Sequence, residues 1–119
     1  MWLLKENPGL LTDLYELTMA QAYFKNNMNE RAYFEVTIRS LPPNWGFFVM
    51  AGLTEVSCYL QQFRFSTEDI EFLKSTGIFS NDFLQYLAQL KPEVQLRALP
   101  EGTVFFPNEP VLEVGGPLI

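Results

Sequence analysis

Hydrophobic positions along the chain change period repeatedly, and each change marks an element. From Leu10 to Asn26 they recur at helical spacing: Leu10, Leu14, Leu17, Gln21 and Phe24 trace one stripe, and Tyr15, Thr18, Met19 and Ala22 trace its neighbour. Thr12 reads as the N-cap, with Asp13 and Glu16 placing negative charge at the positive end of the helix dipole. Asn26, Asn27 and Asn29 break the pattern. From Arg31 to Arg39 the period falls to two. Ala32, Phe34, Val36 and Ile38 point one way, and Arg31, Tyr33, Glu35, Thr37 and Arg39 the other, as on a half-buried strand. After Pro42-Pro43-Asn44, the run from Gly46 to Ala51 predicts a strand apolar on both faces and therefore central.

Three short helices are predicted next. Leu53, Val56, Leu60 and Phe63 form the stripe of the first. Ser66 opens the second, with Asp69 three residues on as a capping box, and Gly77 closes it. Ser80 or Asn81 caps the third, whose face is Phe83, Leu84, Leu87 and Leu90 and which Pro92 stops. Strands return at Val94–Leu99, Thr103–Phe106 and Val111–Val114, divided by Pro100-Glu101-Gly102 and Pro107-Asn108-Glu109-Pro110, and followed by Gly115-Gly116-Pro117. Strands, a helical block and strands again predict an α+β fold, with helices packed on an antiparallel or mixed sheet. No repeat or linker divides the chain, so one domain is expected over residues 1–119.

Composition narrows the chemistry. The chain has 119 residues, of which 48% are hydrophobic and eleven are phenylalanine, enough for a core. Histidine is absent, which removes imidazole bases, His-dependent nucleophiles and His metal ligands. Cys58 is the single cysteine, so neither an intramolecular disulfide nor a cysteine zinc cluster is available. A net charge of −6 argues against nucleic-acid binding, which needs a clustered basic face. Lys5, Glu6 and Pro8 interrupt the opening apolar run before a signal-peptide core forms, and no stretch approaches the ~20 apolar residues that span a bilayer. A soluble cytoplasmic protein is expected.

Few residues stand out as chemical candidates. Asp13 and Glu16 are most simply partners of the helix dipole. Tyr15 is either a core aromatic or an exposed platform, and Arg39 either a solvated arginine at a strand end or a bidentate phosphate ligand. Neither phosphate-cradling glycine pattern, GxxxxGK[ST] or GxGxxG, is present.

The wording of several segments, taken in order, is more specific. Leu10-Leu11-Thr12-Asp13-Leu14-Tyr15-Glu16-Leu17-Thr18-Met19 resembles the N-terminal signature of nicotinate phosphoribosyltransferases. Ala32-Tyr33-Phe34-Glu35 through Arg39-Ser40-Leu41-Pro42, then Ala51-Gly52-Leu53 and Tyr59 to Phe65, resemble the strands and helix that follow in that family. Arg97 to Gly102, Phe106 to Pro110 and Val114 to Leu118 match in the same order.

The resemblance implies a type II phosphoribosyltransferase. Such enzymes join nicotinate to phosphoribosyl pyrophosphate, giving nicotinate mononucleotide and pyrophosphate, with ATP hydrolysis and Mg²⁺, in NAD salvage. By resemblance, Tyr15 contacts the pyridine ring in a site assembled across a homodimer interface, Asp13 and Thr18 position that tyrosine or the ribose, and Arg39 contacts phosphate. Members continue into an α/β barrel that carries most phosphate contacts and a phosphorylated histidine. This chain, which ends on the apolar pair Leu118-Ile119, is therefore expected to be the N-terminal domain, without catalytic residues of its own and inactive alone. Two alternatives stay open: a relative using nicotinamide or quinolinate, and a non-catalytic interaction module derived from the domain.

Overall fold

The computed structural model describes residues 8–119, so the opening Met1–Leu4 run lies outside the described residues. After a 3-10 turn at Pro8–Leu10 come α1 (Leu14–Lys25), β1 (Arg31–Val36), β2 (Phe48–Val49), α2 (Leu53–Gln62), α3 (Thr67–Ser75), α4 (Asn81–Gln89), β3 (Gln95–Ala98), β4 (Val104–Phe105) and β5 (Leu112–Pro117). The elements form two small antiparallel sheets, one ordered β1–β5–β3 and one pairing β2 with β4, and no closed barrel forms among the described residues. The expected α+β fold is present, with purely antiparallel sheets.

The chain divides into two compact units. The first comprises the chain up to Glu30, Cys58–Pro92 and Leu118–Ile119; the second comprises Arg31–Ser57 and Glu93–Pro117. In the first, Leu17, Phe65, Leu73, Phe79, Phe83, Leu84 and Leu87 form the buried core. Phe83 sits at its centre, fully buried, in ring contact with Phe24, Phe79 and Tyr86. Burying one such side chain stabilises by roughly 1.5–3 kcal/mol, which makes α4 the element that the other helices need most. Ser66 accepts from the Asp69 N–H while Asp69 accepts from the Ser66 N–H, the expected capping box of α3. That helix ends at Thr76, followed by Gly77 at φ +69°.

Two helix starts differ from their sequence reading. The first helix begins at Leu14 rather than Leu10, with Asp13 as its N-cap in place of Thr12. The Thr12 hydroxyl instead donates to the Glu16 carboxylate, and Asp13 holds the extended backbone that an N-cap requires. Ser80 is the N-cap of α4, as one of the two expected candidates, yet its side chain makes no cap bond. Buried Gln21 serves there instead. Its Oε1 accepts from the Ser80 N–H at 2.7 Å and its Nε2 donates to the Ile78 carbonyl at 3.3 Å, so one amide joins α1 to the entry of α4.

The second unit is built around β5. Phe34 pairs with Val114 and Tyr33 with Gly115, while Leu96 pairs with Val114 and Arg97 with Glu113, so β5 is the central strand. Expected to end at Val114, β5 continues through Gly115 and Gly116, because those glycines admit close neighbours. A Cβ on Gly115 would lie 2.6 Å from the Tyr33 ring, and one on Gly116 2.8 Å from Val94 Cγ1 and 3.0 Å from the Glu93 carbonyl. The first strand ends at Val36 rather than Arg39, since Pro110 has no N–H and its partner strand begins only at Leu112. Beyond it the chains stay linked singly, by the Val111 N–H to the Val36 carbonyl and the Asn108 N–H to the Ile38 carbonyl. Its apolar face is also less buried than its alternation predicts: Phe34 is 62% exposed and Val36 50%.

The Gly46–Ala51 run is not a central strand. Only Phe48 and Val49 are strand, paired solely with β4, and Phe48 stacks on Phe105 at 5.4 Å while Val49 faces outward. Met50, Phe105, Val111 and Leu112 form this unit's buried cluster, with Leu53 and Val56 of α2 packed against it. The turn at Pro100-Glu101-Gly102 also caps that helix: the Glu101 carboxylate accepts from the N–H groups of Gly52 (3.0 Å) and Leu53 (2.7 Å).

Two outcomes test these assignments. Gln21→Leu keeps the volume but strands the Ser80 N–H and Ile78 carbonyl, and should cost about 1–3 kcal/mol in urea unfolding. Gly116→Ala, which meets backbone, should destabilise by about 1–3 kcal/mol, and by more than Gly115→Ala, whose close neighbour is the exposed Tyr33 side chain rather than backbone.

Candidate functional site

The first turn and a half of α1 brings together Asp13, Tyr15 and Thr18. Asp13 is exposed at the N-cap, and its carbonyl accepts from the Glu16 N–H at 3.1 Å. Its carboxylate makes no cap bond. Tyr15 is 59% exposed and lies among Leu11, Leu14 and Met19, which are exposed as well. Tyr15 thus lies at the surface rather than in the core, with the exposed carboxylates of Asp13 and Glu16 close to it in the chain. Thr18 is half-buried, and its hydroxyl donates to the Tyr15 carbonyl at 3.0 Å. That bond back to the preceding turn occupies its one proton, leaving its oxygen as an acceptor.

Arg39 belongs to the second unit, three residues past the end of β1, and is exposed. The nearby chain is held by the bond between the Asn108 N–H and the Ile38 carbonyl. The structure thus groups three of the four sequence-derived candidates on one helix and leaves Arg39 on a separate loop.

Glu16 and Tyr59 form a feature that sequence reasoning does not assemble. They border a groove of about 370 Å³ in the first unit, whose floor includes Leu17, Phe63 and Leu87. Burial, and secondarily the nearby Glu16 charge, push the Tyr59 hydroxyl above its ordinary value, so it stays a neutral donor at physiological pH. The Tyr59 ring is tilted against Phe63 at 5.7 Å. In the sequence Tyr59 is merely one aromatic on α2, and its relation to Glu16 requires α1 and α2 to meet. A second cleft, of about 590 Å³, lies between the end of α1 and the start of α4, bordered by Phe24, Lys25, Asn29, Ser80, Asp82 and Tyr86. There burial raises the Tyr86 hydroxyl above its ordinary value, opposed by a hydrogen bond with Asn29.

Among the described residues no group of three or more acidic or cysteine side chains is arranged to hold a metal ion. No described helix is long and apolar enough to cross a membrane. The chemistry available on α1 is therefore recognition: an exposed aromatic ring with a carboxylate two residues before it and a hydroxyl oxygen three residues after.

Comparisons with known proteins show the family of the chain as a whole. The model of the nicotinate phosphoribosyltransferase N-terminal domain matches residues 10–119. A nicotinate phosphoribosyltransferase of Mycobacterium tuberculosis is 46% identical over 111 residues, covering 93% of this chain and 24% of the relative. The human nicotinate phosphoribosyltransferase is 40% identical over 114 residues, covering 92% of this chain and 21% of the relative. The crystal structure of the human nicotinic acid phosphoribosyltransferase superposes with a TM-score of 0.79 at 39% identity, over 90% of this chain and 22% of that one. A nicotinate-nucleotide pyrophosphorylase structure from Pyrococcus furiosus matches with a TM-score of 0.59 at 28% identity, over 92% of this chain and 21% of that one. The chain spans about a fifth to a quarter of the length of these curated relatives. By the extent of the family match and the shared fold, the chain belongs to the nicotinate phosphoribosyltransferase N-terminal domain family.

Proposed function

We propose that this chain acts as the N-terminal domain of a nicotinate phosphoribosyltransferase, an NAD-salvage enzyme of the cytoplasm. The complete enzyme would join nicotinate to phosphoribosyl pyrophosphate, with Tyr15 binding the nicotinate ring at a site completed by a second subunit. The observation that carries the reading is the position of Tyr15: a ring 59% exposed, at the start of α1, within the residues the family model matches. Relatives named nicotinate phosphoribosyltransferase in bacteria and animals support it.

The residues suit distinct parts of such a reaction. As pyrophosphate leaves, C1 of the ribose gains positive character, and nicotinate must lie in line with it. A flat ring stacked on a tyrosine loses little freedom and is shielded from water on one face. In this reading the Thr18 hydroxyl, bonded to the Tyr15 carbonyl, fixes the turn that presents the ring, so Thr18 is a positioning residue. The exposed Asp13 carboxylate is an acceptor for ribose hydroxyls, and Arg39 offers a planar fork to phosphate.

ATP and Mg²⁺ fit this chain poorly. Without histidine, and without a metal-holding cluster among the described residues, no step through either group is assigned to it. In this reading both are handled by the rest of the complete enzyme, which is also why the domain alone should be inactive.

Tyr15→Ala in the complete enzyme should raise the nicotinate KM about tenfold or more, equivalent to the loss of one aromatic contact worth ~1.4 kcal/mol. Tyr15→Phe should preserve most binding. Because the side chain is exposed, thermal stability should change by no more than about 0.5 kcal/mol. An unchanged nicotinate KM in Tyr15→Ala would remove Tyr15 from the site.

A further inference from the structure

The first turn of α1 is secured by a residue outside the helix. A helix start whose N–H groups find no side-chain acceptor frays, and Asp13, the N-cap, makes no such bond. The side-chain bond that is present is of another kind. Thr12, the residue before the N-cap, donates its hydroxyl proton to the Glu16 carboxylate. That bond spans Asp13, Leu14 and Tyr15, so the two ends of the segment carrying Tyr15 are tied to each other.

Packing fixes this segment only farther away. Upstream, Gly9 lies so close to the connection between α2 and α3 that a Cβ would come within 2.7 Å of the Arg64 carbonyl, and Leu10 packs on the core. Downstream, Leu17 is the first buried residue of α1. Between them Leu11, Leu14 and Tyr15 are each more than half exposed. Within this domain the path from Thr12 to Tyr15 is therefore set by local bonds. Thr18 holds the Tyr15 carbonyl from the C-terminal side, at 3.0 Å, and Glu16 holds Thr12 from the N-terminal side. Glu16 is itself oriented: it borders the groove lined by Thr12, Leu17 and Tyr59, which Tyr15 does not line. Burial, and after it the Glu16 charge, push the Tyr59 hydroxyl above its ordinary value, which agrees with a Glu16 carboxylate turned toward α2.

We infer that Glu16 is a positioning residue for Tyr15, holding through Thr12 the turn from which the ring meets nicotinate. The inference deepens the proposed function and rests on the reading that Tyr15 binds nicotinate. It differs from a role on the helix dipole, in which the charge of Glu16 matters and the Thr12 hydroxyl does not.

Steady-state kinetics of the complete enzyme test it. Thr12→Val removes the donor at nearly constant shape, and Glu16→Ala removes the acceptor. Each should raise the nicotinate KM about three- to fivefold, as for one exposed hydrogen bond, with kcat changed less than about twofold. Glu16→Gln keeps an acceptor oxygen and drops the charge, and should stay within about twofold of the wild-type KM. The double variant Thr12→Val/Glu16→Ala should be no worse than either single one, because both delete the same bond. With Tyr15→Ala already present, Glu16→Ala should add less than about twofold, whereas a general loss of stability would still add its full effect. The two single deletions are independent, so either decides if the other fails to fold. A nicotinate KM raised by Tyr15→Ala but untouched by Thr12→Val and Glu16→Ala would overturn this inference and spare the reading of Tyr15. A KM untouched by Tyr15→Ala would remove that reading and the inference with it. Glu16→Gln as impaired as Glu16→Ala, or an undiminished effect of Glu16→Ala without the Tyr15 ring, would also overturn the inference.

Discussion

The second unit depends on the arrival of β5. Until Leu112–Pro117 is in place, β1 and β3 have no sheet, because neither bonds to the other and both pair with β5. The pairing of Arg31 with Pro117 closes most of the chain into a loop, so the entropic cost of ordering what lies between falls on one late strand. That strand can enter between two others because Gly115 and Gly116 leave room for the Tyr33 ring and for the Glu93–Val94 backbone. Two missing side chains thus make room for the observed pairing at that end of the sheet.

The first unit is held by a different means. Its helices meet around Phe83, and ring contacts with Phe24, Phe79 and Tyr86 give that core its shape. The apolar contacts are non-directional, whereas the Gln21 amide fixes one arrangement by satisfying both the Ser80 N–H and the Ile78 carbonyl. Burying Leu17 and Gln21 on one side of α1 leaves Leu11, Leu14, Tyr15 and Met19 outside. A helix apolar on both sides has a second surface to cover. Tyr15 lies on that second surface, so packing uses one side of the helix and leaves this aromatic ring outside.

Much of this was legible beforehand. Period and punctuation located all four helices and every strand that formed, and the Ser66/Asp69 box was readable because both partners lie within one turn. The ordered family segments pointed to α1, and Asp13, Tyr15 and Thr18 do share one end of that helix. The errors have one character. Thr12 was expected to cap α1, but its hydroxyl engages Glu16. The Gly46–Ala51 run looked central, but a strand is central only if two neighbours come to it, and β2 has one. Phe34 and Val36 looked inward, but alternation assigns a face without saying whether anything packs on it.

By itself, then, the sequence determined what depends on nearest neighbours: helical and extended periods, the caps that close within a turn, the absence of imidazole chemistry, and the family to which the wording belongs. Only the tertiary structure decided what depends on residues far apart. Glu101 caps a helix that starts at Leu53, and Gln21 serves as cap for a helix that starts at Asn81. Each is a polar group whose partner is chosen by the fold, because an N–H or a charge is satisfied by whichever acceptor packing brings within about 3 Å, whatever its position in the chain.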